Sequence, residues 1–114
     1  MGQSRSTWKR LERETAKQIG GKRNGNRGIA TADAESGHLA IECKSWSRPP
    51  ERVEAALVQA ELAADAAGGL LPVARIHTKG GRTDNDLAVV RWYVMVNLLR
   101  DAGLICLLYT SRCV

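Results

Sequence analysis

The stretch Ile29-Ala-Thr-Ala-Asp-Ala-Glu-Ser-Gly-His-Leu-Ala-Ile-Glu-Cys-Lys-Ser45 decides the fold. It holds two extended segments, about 29–35 and 38–45, parted by Ser36-Gly37, which is a hairpin signal. Alternation sets Leu39, Ile41 and Cys43 on one face of the second strand and Ala40, Glu42 and Lys44 on the other. Glu42 and Lys44 therefore project side by side. With Ser36-Gly37 as a two-residue turn, Glu35 faces His38 and Asp33 faces Ala40. Asp33 then shares a face with Glu42 as its diagonal neighbour, roughly 7–8 Å away between Cα atoms. A slip of one residue would send Asp33 to the opposite face.

Upstream of the hairpin, Ser6 or Thr7 can cap a helix that begins at Trp8 and is stopped by Gly20-Gly21. Trp8, Leu11, Thr15, Ala16 and Ile19 fall on one helical stripe, and Glu12 lies inside it. A carboxylate among apolar neighbours costs several kcal/mol unless it is paired or binds a metal. Residues 20–28 read as a loop or short strand with a turn at Asn24-Gly25, and they lack the spacing of a phosphate-cradling Walker loop. Downstream, a second helix runs from Pro49-Pro50 to about Ala67, with Val53, Ala56, Leu57, Ala60, Ala64 and Ala67 on one face and Gly68-Gly69 as its stop. Strands over 70–77 and 87–91 follow, joined by a turn over 79–86, and a last helix spans 92–101. Helix, short strand, hairpin, helix, strand, strand, helix describes an α/β domain built on a small mixed sheet.

The chain has 114 residues, which suits a single domain, placed here at 1–105. Its net charge is +5, and the excess is N-terminal: residues 1–27 carry eight basic side chains against two acidic ones, the remainder nine against ten. Such a patch favours a polyanionic partner. With three Trp, two Tyr and no Phe, recognition by base stacking is disfavoured and phosphate contact is expected. There is no run of eighteen apolar residues and no apolar centre of a secretion signal in the first segment, so no membrane is expected and the location is read as cytoplasmic. The three cysteines show no CxxC pair and suggest neither a disulfide framework nor a zinc site. The codon string to which 106–111 can be back-translated resembles the transposon-end adaptor used in preparing sequencing libraries. Residues 106–114 are therefore read as a non-native read-through tail.

Two carboxylates on one patch repel each other, a cost removed by a hard divalent cation between them. Mg²⁺ suits Asp33 and Glu42, with Mn²⁺ as a substitute, because it takes oxygen ligands, keeps several waters and binds phosphates. The backbone carbonyl of Cys43 is placed to join them, and Lys44 can orient or deprotonate an attacking water and balance developing negative charge. An isolated Glu-x-Lys is an ordinary surface ion pair; order and context give it weight here.

Asp33, with Glu42-Cys43-Lys44 beginning nine positions on, and Leu11-Glu12-Arg13 on a preceding helix that ends in Gly-Gly and a basic segment, resembles the PD-(D/E)xK nuclease superfamily. The small Holliday-junction resolvases and their phage resolvase-like relatives are nearest in character. The resemblance spans about 8–90, with Ala32 where the motif's proline would stand. It implies a restriction-endonuclease-like αβββαβ core and a Mg²⁺-dependent DNA endonuclease, selective for structure. In it Glu12 would be the helix carboxylate and a further metal ligand, Asp33 and Glu42 the metal ligands, Lys44 the catalytic lysine, and Gln59 a polar residue near the metal. Lys9, Arg13, Lys22, Arg23, Arg27, Lys79 and Arg82 would contact DNA, branched or duplex. Two strand cuts at a junction imply a homodimer, with the last helix or a sheet edge as candidate contact. The other readings are a non-catalytic nucleic-acid-binding module, and a restriction or repair nicking nuclease on the same core.

Overall fold

A computed structural model describes residues 5–25 and 31–106 of the chain. They form α1 (Arg5–Ile19), β1 (Lys22–Arg23), β2 (Ala34–Glu35), β3 (Ala40–Ile41), α2 (Glu51–Ala66), β4 (Ala74–Ile76), a 3₁₀ turn (Thr83–Asn85), β5 (Leu87–Val89) and α3 (Trp92–Asp101). The protein is α/β, and the elements follow the expected order. Arg27, the start of the first hairpin segment and residues 107–114 of the expected tail lie outside the described residues. Cys106 is disulfide-bonded, although the cysteine spacing had suggested no bridge.

The single mixed sheet is not what forms among the described residues. β1, β2 and β3 make one antiparallel sheet in that order, and β4 and β5 make a second antiparallel pair. The strands are only two or three residues long. Such short strands pair with their sequence neighbours, because a hairpin closes a smaller loop than the crossover a parallel pairing needs. The contacts divide in the same way, into one compact unit up to Ser47 together with the chain from Tyr93 onward, and another over Arg48–Trp92.

In the first unit, the inner stripe of α1 supplies Ala16 and Ile19 to a core with Ala34 of β2, Val96 and Leu99 of α3, and Ile105. Leu39, Ile41, Met95 and Leu104 pack around it. Burial of Ile19 alone stabilises the unit by about 2 kcal/mol. α3 thus turns its apolar face into its own core, and Tyr93 and Leu98 stay exposed. α1 begins earlier than Trp8 and ends where Gly20 adopts φ +70. There the Gly20 N–H donates to Lys17 O at 3.1 Å and the Gly21 N–H to Ala16 O at 2.8 Å, a Schellman closure. Gly21 has a second role, since β1 runs so close to β2 that a Cβ there would overlap the carbonyl oxygen of Glu35. Gly21→Ala is expected to destabilise the unit by about 2 kcal/mol or more, read as a lower denaturant midpoint. An unchanged midpoint would mean that β1 can move away from β2 at no cost.

In the second unit α2 packs on β4, burying Leu57, Ala64 and Ala74. Glu54 and Glu61 lie two turns apart on α2, and Arg91 joins them through its Nη2 at 2.7 Å to Glu54 Oε1 and 2.9 Å to Glu61 Oε1. These bonds raise Arg91 above its usual pKa and lower Glu61 below its own. At the hairpin, Asp86 accepts from Arg75 Nε at 2.7 Å and lies 2.6 Å from His77 Nδ1. The hydrogen bond with His77, then that with Arg75, holds the Asp86 carboxyl below the usual aspartate range against the opposing effect of burial. A depressed carboxylate contributes stability that is present above its unfolded pKa and lost as the pH falls through its folded value. The hairpin is therefore expected to loosen in acid, below the ordinary aspartate range, and Asp86→Asn to remove that step from an acid titration followed by circular dichroism. An identical acid limb in the variant would detach Asp86 from stability.

Candidate functional site

The hairpin register fixes the candidate site. Ala34 pairs with Ile41 and Glu35 with Ala40, two residues away from the pairing expected of a two-residue turn. The connection is instead a four-residue loop in which the Ser36 N–H donates to Leu39 O at 2.9 Å. The Ser36 hydroxyl accepts from the N–H groups of His38 and Leu39, both at 3.2 Å. A serine side chain that caps backbone donors in this way lets the loop lengthen without losing hydrogen bonds. A shift of two keeps every side chain on its face. The pairing ends at Ala34 and Ile41, so Asp33 and Glu42 lie immediately beyond its last pair.

Asp33 is held from both sides. Its Oδ2 accepts the backbone N–H of Cys43 at 2.8 Å, which ties the end of β2 to the segment that carries Glu42 and Lys44. Its own carbonyl accepts the Asn24 N–H at 3.1 Å, and the Asn24 side-chain amide donates to Ala32 O at 2.8 Å. Asn24 is buried, a clasp on the chain bearing Asp33. Its sequence signal, Asn-Gly, had suggested only a turn. Glu42 and Lys44 are exposed and lie side by side, with Lys44 Nζ 3.6 Å from Glu42 Oε2.

Glu12 is buried within the stripe of α1, at 4% exposure. Arg23 of β1 reaches it, with Nε donating to Glu12 Oε1 at 2.7 Å. Arg23, expected at the DNA interface, is therefore engaged inside the fold. Cys43 is buried, and its Sγ is 3.5 Å from the Thr15 hydroxyl. Burial first, and then the charges of Asp33, Glu12 and Glu42, push the Cys43 thiol up against the lowering effect of its hydrogen bond to Thr15. The thiol is thus kept protonated and is no nucleophile.

The bond from the Cys43 N–H to Asp33 brings the Asp33 carboxylate to the segment that bears Glu42, and two carboxylates on one patch are the setting that a divalent cation relieves. Among the described residues no three His, Cys, Asp or Glu side chains form a ready cage, and Glu12 is taken by Arg23. The oxygen donors that remain are Asp33, Glu42 and the Cys43 carbonyl. They fit Mg²⁺, which needs few protein ligands and retains water, better than a metal that takes all its ligands from side chains.

The other expected residues are scattered. Lys9 and Arg13 are exposed on α1, and Lys22 is exposed with its Nζ 3.7 Å from Glu35 Oε1. Gln59, Lys79 and Arg82 are exposed in the second unit, where Arg82 pairs with Asp84 at 3.1 Å. No protein-family model, curated protein or solved structure matches the chain. No helix among the described residues is long and apolar enough to cross a membrane.

Proposed function

We propose that the chain is a Mg²⁺-dependent DNA endonuclease of the PD-(D/E)xK kind, with a restriction-endonuclease-like core and a preference for branched DNA like that of Holliday-junction resolvases. The observation that carries this reading is the bond from the Cys43 N–H to Asp33 Oδ2, which ties Asp33 to the segment bearing the paired Glu42 and Lys44. Asp33, Glu42 and the Cys43 carbonyl would hold the ion. When bound, Mg²⁺ supplies a Lewis acid and lowers the pKa of water. The Lys44 ammonium orients the attacking water and balances the charge that develops on the phosphodiester oxygens. The bond from Cys43 N–H to Asp33 keeps one carboxylate oxygen fixed, so the other is presented without reorganisation. Lys9 and Arg13 contact phosphates and contribute affinity with little base readout. The described residues of each chain offer one such centre, so the two cuts of junction resolution call for a homodimer.

The rival reading is a non-catalytic nucleic-acid-binding module, favoured by the exposure of the Glu42–Lys44 pair, which as an ion pair alone is ordinary. Labelled four-way junction, duplex and single-stranded DNA, each incubated with Mg²⁺ or with EDTA, separate the two. The nuclease reading expects cuts only with Mg²⁺ and fastest on the junction. DNA that is bound but left uncut in Mg²⁺ and in Mn²⁺ selects the binding module.

A further inference from the structure

Two tryptophans flank the candidate centre. Trp8 lies one helical turn before Glu12 on α1, and Trp46 lies two residues beyond Lys44 as Lys44 lies two beyond Glu42. Both are exposed, at 47% and 64%, although indole is among the side chains with most to gain from burial. They meet at one open pocket of about 280 Å³, lined by Trp8, Cys43, Lys44, Ser45 and Trp46. That volume is at the small end of ligand sites, which run to roughly 300–1,000 Å³, and suits a single flat ring system.

The lining identifies the occupant. Two indole faces offer stacking, which every nucleobase accepts whatever its sequence. The Lys44 ammonium in the same wall offers a cation for the attached phosphodiester, and Lys9, Arg10 and Arg13 stand exposed on the helix that bears Trp8. An apolar protein partner would have to desolvate the exposed Lys44 ammonium in that wall, at a cost it could not recover. We propose that Trp8 and Trp46 form a stacking site for one unpaired nucleobase of DNA beside Glu42 and Lys44. The inference rests on the nuclease reading and deepens it by naming the substrate class. A base already unpaired at a branch or single-stranded end enters without the few kcal/mol that extrusion from a duplex costs. Selection for branched DNA then follows from the pocket, and the scarcity of aromatics across the chain ceases to argue against stacking because the two that matter are adjacent to the chemistry.

The test is made in EDTA on the intact chain, so that it does not depend on cutting. Fluorescence anisotropy and tryptophan quenching are followed with a twelve-nucleotide oligothymidylate, an abasic strand of equal length, a hairpin duplex and an oligouridylate. The thymidylate is expected to quench tryptophan and to bind about tenfold or more tightly than the abasic strand. Trp46→Ala and Trp8→Ala are each expected to weaken it about tenfold, and Trp46→Phe to restore most of the loss. Trp46 is exposed, so its variants leave the core untouched; circular dichroism checks the fold of Trp8→Ala. Equal binding of thymidylate and abasic strands, or alanine variants that bind as wild type does, would overturn the proposal. Tighter binding of uridylate would overturn it in favour of RNA. Self-association in sedimentation that Trp46→Ala abolishes while DNA affinity is unchanged would overturn it in favour of a second copy of the chain. Stacking that survives alongside an absence of Mg²⁺-dependent cutting rejects the nuclease alone, and cutting without stacking rejects the pocket alone.

Discussion

Asp33→Asn is expected to reduce Mg²⁺-dependent cleavage by orders of magnitude while DNA affinity holds or rises. The substitution preserves side-chain shape, and the asparagine carbonyl can still accept the Cys43 N–H that Asp33 Oδ2 accepts at 2.8 Å. The hairpin end is therefore kept, as is the Asn24 clasp, which binds the backbone of residues 32 and 33 and not the Asp33 side chain. What is removed is one negative charge beside the segment that bears Glu42. Metal affinity drops for want of a carboxylate ligand, and the repulsion between that carboxylate and an approaching phosphodiester disappears. Lys9 and Arg13 are unaffected, so a gel shift in EDTA is expected to equal or exceed that of wild type. Weaker binding together with lost cleavage would point to a disturbed fold instead.

Arg23→Ala carries the largest expected effect on stability. Glu12 is 4% exposed and Arg23 Nε is its partner at 2.7 Å, with the Arg23 side chain itself only 29% exposed. Removing the guanidinium leaves a buried, uncompensated carboxylate, which costs on the order of 3 kcal/mol. A domain of this size has a total stability of roughly 5–15 kcal/mol, so the loss should appear as a large drop in the denaturant midpoint. Glu12→Gln added to Arg23→Ala removes the unpaired charge and is expected to recover a good part of it. A double variant no better than the single one would show that Arg23 acts by packing its stem and not by answering Glu12.

These two side chains also mark the boundary of what the sequence reveals. Glu12 stands out in it because it breaks an apolar stripe, a local periodic signal. Its partner does not, because nothing local ties residue 23 to residue 12, and charge alone makes Arg23 one more cation among its neighbours. The same division holds elsewhere. The ends of α1 and α2 at Gly20-Gly21 and Gly68-Gly69, the hairpin and its two faces were legible because capping and alternation are local rules. The register was missed by two residues because Ser36 satisfies backbone donors with its hydroxyl, a choice of loop that Ser-Gly does not reveal. Faces survived the error, since a shift of two preserves them. The order of elements suggests one mixed sheet, and local pairing of two- and three-residue strands gives two antiparallel sheets among the described residues. Asn24 looked like a turn residue and is a buried clasp, a role that exists only once 32–33 is brought beside it. The Trp8–Trp46 pocket was invisible for the same reason, its halves being 38 positions apart.

The central claim is that Asp33, Glu42 and Lys44 make a metal-dependent nuclease centre. It is tested most directly by the rate of strand scission of a labelled four-way junction over a series of Mg²⁺ concentrations, with wild type and Asp33→Asn purified in parallel. Purification in parallel makes the variant the control for any contaminating nuclease. The result predicted is scission by wild type that rises with Mg²⁺ and vanishes in EDTA, and scission by Asp33→Asn that is slower by orders of magnitude at every concentration. Equal rates from the two preparations, or no scission by wild type at any Mg²⁺ concentration, would contradict it.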